Sequence, residues 1–193
     1  MRKLTHSQIE MFRTCPRRYY YEYVLGLRPA VAATALRHGT LQHEALALLE
    51  SDGLDAALEH IRLKRPEWTG PDRFVPYTVA ATTRAYAQVD HGPVRITDIL
   101  AVEPVFTMPL ISPDGVRSRT WMMAGRIDYI VRIDGDRIAV REVKTVDNTP
   151  DERYFLRLMM DPQISLYLSA ARWNWRNLSI DTVVYDVLRK PSI

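Results

Sequence analysis

"GRIDYIVRIDGDRIAVREVKT", residues 125–145, sets two apolar runs rich in Ile and Val on either side of Asp134-Gly135-Asp136. Such runs, bounded by an Asp-Gly turn, predict a β-hairpin. Three charged residues interrupt this pattern: Asp128 in the first strand, and Glu142 and Lys144 in the second. Side chains alternate faces along a strand, so Glu142 and Lys144 share a face. The place of Asp128 depends on register. A three-residue loop over Asp134–Asp136 pairs Ile133 with Arg137 and sets Asp128 opposite Glu142; a two-residue turn at Asp134-Gly135 puts the two carboxylates on opposite faces.

In the first register two carboxylates lie about 5 Å apart, which is destabilising unless a proton or a cation sits between them. A hard divalent cation suits such oxygen ligands and keeps waters of its own, with room for a phosphate. Lys144 would then face the scissile phosphate. The alternative is a solvated sheet face on which Lys144 simply pairs with one carboxylate.

Outward from the hairpin, "ILAVEPVFTMPLI", "TWMMAGRIDYIVRI" and "RIAVREVKT" read as a three-stranded antiparallel meander. "IDTVVYDVL" closes the chain as a further strand, after helices in "NTPDERYFLRLMMD" and "PQISLYLSAARWNW". The N-terminal half is helical. Ser7 with Glu10 reads as a capping box, Pro16 opens a helix to about Val24, and helical spacing covers Thr34–Glu50, Leu54–Leu63 and Val75–Val89. The 193 residues suit one domain, helical over 1–90 with a sheet core over 95–193. The end, "VVYDVLRKPSI", suggests a natural C-terminal extension beyond it.

With 47% hydrophobic and 25% charged residues the composition is globular. The net charge of +3 permits a nucleic-acid partner without requiring one. It is concentrated: residues 1–28 hold six Lys or Arg against two Glu, so the remainder is nearly neutral. No apolar run reaches the length of a secretory signal or a membrane span, so the expectation is a cytoplasmic protein without a membrane partner. Cys15 is the single cysteine, which excludes an internal disulfide and a cysteine cluster built from this chain alone.

Five stretches, in order, resemble the PD-(D/E)XK nuclease superfamily, and in particular its RecB-like and lambda-exonuclease-like branch. "SQIEMFRTCPRRYYYEYVLGL" is similar to the N-terminal helical segment and "HGTLQHEAL" to the Gly-x-x-x-His motif. "GRIDYIV" and "REVKT" resemble the Asp and Glu-x-Lys motifs, and "QISLY" the Gln-x-x-x-Tyr motif. The resemblance implies an α/β fold with a restriction-endonuclease-like core, a small mixed β-sheet flanked by helices behind an N-terminal helical region. It implies His43, Asp128, Glu142 and the backbone carbonyl of Val143 as ligands of one or two Mg²⁺ or Mn²⁺ ions, and Lys144 as the catalytic lysine. Gln163 and Tyr167, four apart on one helix face, would help to place the DNA strand.

Glu103, in "AVEPVF", is a weaker ligand candidate, since a lone strand Glu is more often solvated. Arg17, Arg18 and Tyr20 would neutralise and stack on a DNA strand. Ile127 stands where the motif's proline would be. Members with an iron-sulfur cluster place a first cysteine at the position of Cys15 and three near the C-terminus; those three are missing here, so no cluster forms within the chain. The resemblance implies a nuclease, with an exonuclease acting on a single strand or duplex end favoured, in DNA repair, recombination or phage DNA processing, and with a helicase or recombination partner. The rival readings are a catalytically inactive DNA-binding or scaffolding module and a small-molecule metal hydrolase.

Overall fold

The structure is a computed structural model that describes residues 1–30, 33–89 and 94–191; the end of the chain, where the sequence suggests an extension, lies outside them. Strands β5 (Tyr129–Ile133) and β6 (Arg137–Val146) form the hairpin, with Ile133 opposite Arg137 and Tyr129 opposite Arg141. The loop is the three-residue one. Gly135 has φ +95°, which a side chain would strain, and Asp134 has φ +45°, which aspartate tolerates better than most residues. β2 (Ile96–Val102) pairs antiparallel with β5, and β7 (Ile180–Arg189) runs parallel to β6, giving the order β2-β5-β6-β7. From Ile138 to Val143, β6 is buried at every position, as expected of a strand covered on both faces.

The expected three-stranded meander is divided between two sheets. Its first strand breaks after Val102 and its second after Arg126. β3 (Val105–Ile111) and β4 (Arg117–Arg126) pair with each other, and β1 (Arg2–Leu4) adds in parallel to β4, giving a second sheet of order β1-β4-β3. The cause lies at Glu103 and Pro104: proline has no N–H for the ladder, and Glu103 turns the chain with φ +46°. Two backbone bonds span the break, from Glu103 N–H to the Asp128 carbonyl (2.7 Å) and from Ile127 N–H to the Pro104 carbonyl (3.1 Å).

Helices cover both faces of the larger sheet. Tyr129, Val131, Ala139 and Val143 pack against Leu46 of α3 (Thr34–Asp52) and Tyr86 of α5 (Val75–Tyr86). Ile130, Ile138 and Val140 face the other way, onto Tyr167, Ala170 and Ala171 of α7 (Pro162–Asn174). α4 (Leu54–Lys64) joins α3 and α5 around Leu41, Ala45, Ile61 and Val79, while α6 (Glu152–Met159) leads into α7.

At the N-terminus, α1 (His6–Thr14) is followed by α2 (Pro16–Tyr19), which continues into a π-helical turn over Tyr20–Val24. The capping box of α1 is Thr5 with Gln8, not Ser7 with Glu10: Thr5 N–H donates to Gln8 Oε1 (2.8 Å) and Gln8 N–H to Thr5 Oγ1 (3.3 Å). β1 ends at Leu4, so the helix starts at once and Ser7 is already inside it. Among the described residues no helix is long and apolar enough to cross a membrane.

Arg141, 1% exposed, ties these layers together. Its Nε donates to Asp186 Oδ2 on β7 (2.6 Å) and its Nη1 to Glu50 Oε1 on α3 (3.0 Å), and its guanidinium lies over the Tyr129 and Tyr86 rings. Tyr86 donates to the same Asp186 oxygen at 2.7 Å. Removing one member of a buried ion cluster leaves uncompensated charge, which costs about 3–5 kcal/mol. We expect Arg141→Ala to lower the melting temperature by about 6–20 °C. Thermal unfolding checks this, and a shift below about 2 °C would mean that water replaces the guanidinium at no cost.

Candidate active site

The site gathers at the break between β4 and β5. Asp128 lies one residue before β5, in a bend just beyond the last ladder pair, on the side of Glu142 that the three-residue loop dictates. Its Oδ2 accepts the Val143 N–H at 2.9 Å, which fixes the carboxylate against β6. Lys144 Nζ donates to Glu142 Oε1 (2.7 Å) and to Gln163 Oε1 (2.9 Å). Gln163 Nε2 in turn donates to the Tyr167 hydroxyl at 2.8 Å.

These last two residues occupy the first turns of α7, which Asp161 caps by accepting the Gln163 N–H and which Pro162 starts. Tyr167 is held edge-on by Phe106, with ring centroids 5.8 Å apart. From the opposite layer α3 brings His43, whose Nδ1 lies 3.5 Å from Asp128 Oδ1. Residues distant in sequence, on α3, at the strand break, on β6 and on α7, thus meet in one place.

Electrostatically the place is under-compensated. Glu142 is 3% exposed, and its Oε2 is the one buried carboxylate oxygen without a hydrogen-bond partner among the described residues. Burial, then the charge of Asp128, pushes the Glu142 carboxyl above the usual carboxylate range, with Lys144 offsetting part of the rise. Burial also raises Asp128, against the pull of the Val143 N–H and Lys144. Burial holds the His43 imidazole below its usual value, despite Glu142 and Glu103, so its ring is neutral near pH 7 and has a lone pair to give. Tyr167 is pushed up to about 12 by burial and stays a phenol.

A cleft of about 750 Å³ opens over His43, Asp128, Gln163 and Tyr167, with Thr5 and Tyr23 of the N-terminal segment forming part of its wall. Glu103 and Arg126 also line it, paired to each other at 2.8 Å. Arg17, Arg18 and Tyr20 are not brought there. They are exposed on the outer side of the segment, where Arg17 bonds the Tyr21 hydroxyl (3.0 Å) and Arg18 sits 3.8 Å from Glu22. Tyr23, Arg126, Glu44 and His6 are among the cleft residues that sequence reasoning missed. Arg126 stands two places before Asp128, but nothing in the pattern tells a cleft arginine from a solvated one. Cys15 is a free, half-buried thiol.

Among the described residues no three His, Cys, Asp or Glu side chains already converge as a finished metal cage. The donor set nonetheless fits an oxygen-preferring divalent cation: the unpartnered Glu142 oxygen, the Asp128 oxygen facing His43, and a neutral imidazole. A strand residue directs its N–H and C=O to the same neighbour, so the Val143 carbonyl also faces the Asp128 side of β6.

A mixed α/β structure with two mixed sheets flanked by helices, and a charged hairpin in the larger sheet, is consistent with the restriction-endonuclease-like fold. The chain belongs to the PD-(D/E)XK nuclease superfamily, whose family model it matches over residues 3–191. It is therefore placed among nucleases, with a nucleic acid as the class of substrate. Comparison with curated proteins gives no match.

The raised carboxyls carry a sign that can be tested. An acid whose pKa rises on folding supports the folded state below its unfolded value, about 4, and loses that support as pH climbs towards neutrality. The metal-free protein should therefore be less stable at about pH 8 than at about pH 5 on account of this pair. Asp128→Asn keeps an acceptor for Val143 N–H and removes one charge. It should stabilise the metal-free protein at about pH 8 by on the order of 1 kcal/mol, with a smaller gain at about pH 5. Melting curves of both proteins at the two pH values check this, and an Asp128→Asn melting temperature equal to or below that of the wild type at the higher pH would refute it.

Proposed function

We propose that the protein is a metal-dependent deoxyribonuclease, a single nuclease domain that hydrolyses DNA phosphodiester bonds and works from DNA ends. Asp128, Glu142, His43 and the Val143 carbonyl would hold one or two Mg²⁺ or Mn²⁺ ions. When bound, such a cation supplies Lewis-acid polarisation of the phosphate and a more acidic water.

The observation that carries the reading is the ammonium of Lys144, suspended between Glu142 Oε1 and Gln163 Oε1. A lysine ammonium has three N–H donors, and these two contacts leave one to point at a phosphate oxygen in the cleft. There it would stabilise negative charge as it develops and help to orient the attacking water. Gln163, itself held by the Tyr167 hydroxyl, fixes where the ammonium stands. Glu103 joins the site in a supporting role, since Arg126 already engages its carboxylate. An end-directed exonuclease, in repair, recombination or phage DNA processing with a helicase or recombination partner, rests on the sequence resemblance, and a cytoplasmic location on the apolar patterning of the sequence.

A second reading has one observation in its favour. Lys144 already neutralises Glu142 in a site without a finished metal cage, as would suit a DNA-binding module that has kept the fold without cutting.

The deciding experiment is digestion of linear, covalently closed circular and single-stranded DNA with Mg²⁺, Mn²⁺ or EDTA. Cleavage with metal and none with EDTA is expected, with the closed circle spared. Lys144→Ala should lose about 10²–10³-fold in rate, and Asp128→Ala and Glu142→Ala at least as much. Retained cleavage in all three variants would overturn the assignment. Binding without cleavage in any metal would favour the second reading.

A further inference from the structure

Some 15 Å along α7 from Gln163, ten residues at 1.5 Å each, lies Trp173. Two guanidiniums stack on its single indole: Arg176 at 4.2 Å from the ring centroid and Arg117, from the start of β4, at 5.3 Å. Four residues further along β4, Trp121 carries Arg2 of β1 over its ring at 5.6 Å. Arg119 is exposed between them.

Of the 22 arginines, seven have a carboxylate partner among the described residues: Arg13, Arg18, Arg37, Arg62, Arg126, Arg132 and Arg141. Arg2, Arg117, Arg119 and Arg176 belong to the unpaired majority, and what sets them apart is that all four are exposed, three lie over neighbouring tryptophans and two share one ring. Sequence explains part of this: residues 105–126 contain three arginines and a single acid, Asp114, and residues 170–177 contain two arginines and no acid. The helix-end carbonyl of Trp173, which accepts from Arg176 Nε at 3.2 Å, offsets only a fraction of one charge. Like charges held together without counter-ions form a site for an external polyanion.

We infer that this surface, Arg2, Arg117, Arg119 and Arg176 around Trp121 and Trp173, holds the phosphate backbone of the nucleic acid whose cleavage the cleft carries out. The inference rests on the nuclease reading for the identity of its ligand. At 3.4 Å per step along one strand, 15 Å spans roughly four to five nucleotides from the candidate active site. The contacts are to phosphates, so they add affinity and orientation and no sequence preference. The tryptophans serve to hold the guanidiniums upright. With two guanidiniums already over Trp173, base stacking there is not required.

The test is anisotropy of a fluorescent duplex of about 30 base pairs in EDTA, where binding is read apart from cleavage, at salt from about 50 to 200 mM. Arg117→Ala/Arg176→Ala should weaken binding about tenfold and lower the slope of log affinity against log salt by about 2. Arg117→Lys/Arg176→Lys keeps the charges and should keep most of the slope, which a merely structural role for the stacked pair would not predict. Arg119→Glu reverses a solvent-facing charge without disturbing either indole and should weaken binding even if the double alanine variant unfolds. Wild-type affinity and slope in Arg119→Glu and in the folded double variant would overturn the inference, as would absence of salt-dependent binding by the wild type. Metal-dependent cutting that persists beside such a result leaves the nuclease reading standing. Salt-dependent binding lost in these variants, with no cutting by the wild type in any metal, supports the surface and removes the nuclease.

Discussion

The buried guanidinium of Arg141 is the constraint on which the rest of the structure depends. It is the point where α3, α5, β5, β6 and β7 share one set of charges and rings, and it sits next to Glu142 in the chain. Alternation along β6 sends Arg141 and Val143 to the α3 side and Glu142 and Lys144 to the α7 side. A strand that carries charge on both buried faces is costly. On one face Asp186 and Glu50 answer the charge of Arg141 with direct hydrogen bonds. On the other the answer is incomplete, because Glu142 Oε2 has no donor. A buried charged oxygen without a partner costs upwards of about 1–3 kcal/mol. The compensated face accounts for stability, and the deficient one marks where function would reside.

The break between the two sheets makes the same trade. A non-glycine residue held at positive φ costs on the order of 1–3 kcal/mol, and Glu103 at +46° is such a residue. What the strain accomplishes is visible opposite it: Glu103 N–H takes the Asp128 carbonyl, and Asp128, released from the ladder, turns its carboxylate onto Val143 N–H. Had the meander run straight, Asp128 would project as an ordinary strand residue. Gly125, just before the break on β4 and opposite Phe106, leaves room for the ring that supports Tyr167, because a β-carbon there would stand 2.7 Å from it.

Much of this was legible in sequence because it was local. The Asp134-Gly135-Asp136 loop gives two registers, and the left-handed backbone at Asp134 and Gly135 selects the one that sets Asp128 beside Glu142. Helix boundaries in α3, α4 and α7 follow from apolar spacing and from Pro162. Less legible were features in which two distant segments decide together. Pro104 announces a break, but not that the strands on its two sides join different sheets. β1 is three residues long and exists only through its pairing with β4, so no periodicity could reveal it. Arg17, Arg18 and Tyr20 look like a DNA-contacting cluster by composition, yet helix rotation through the π turn leaves Tyr23, not these three, on the cleft. The unpaired arginines of β4 and α7 escaped notice because absence of a counter-charge is a property of the folded surface.

The two charged regions also explain each other. With its carboxylates ionised the cleft is lined by three acids, Glu44, Glu103 and Asp128, against one cation, Arg126; the adjoining ion pair of Lys144 with Glu142 adds no net charge, and His43 is neutral. A phosphodiester entering that cleft unaided would meet a net charge of its own sign. The arginines at Trp173 cannot relieve this, because at roughly 15 Å they stand well beyond the screening length of about 8 Å at physiological salt. They can hold the polyanion while the cleft repels it, so affinity and chemistry must be supplied separately. The missing positive charge has to arrive in the cleft itself, next to the one buried carboxylate oxygen that has no partner among the described residues, and a divalent cation is the species that the oxygens of Glu142 and Asp128 would select.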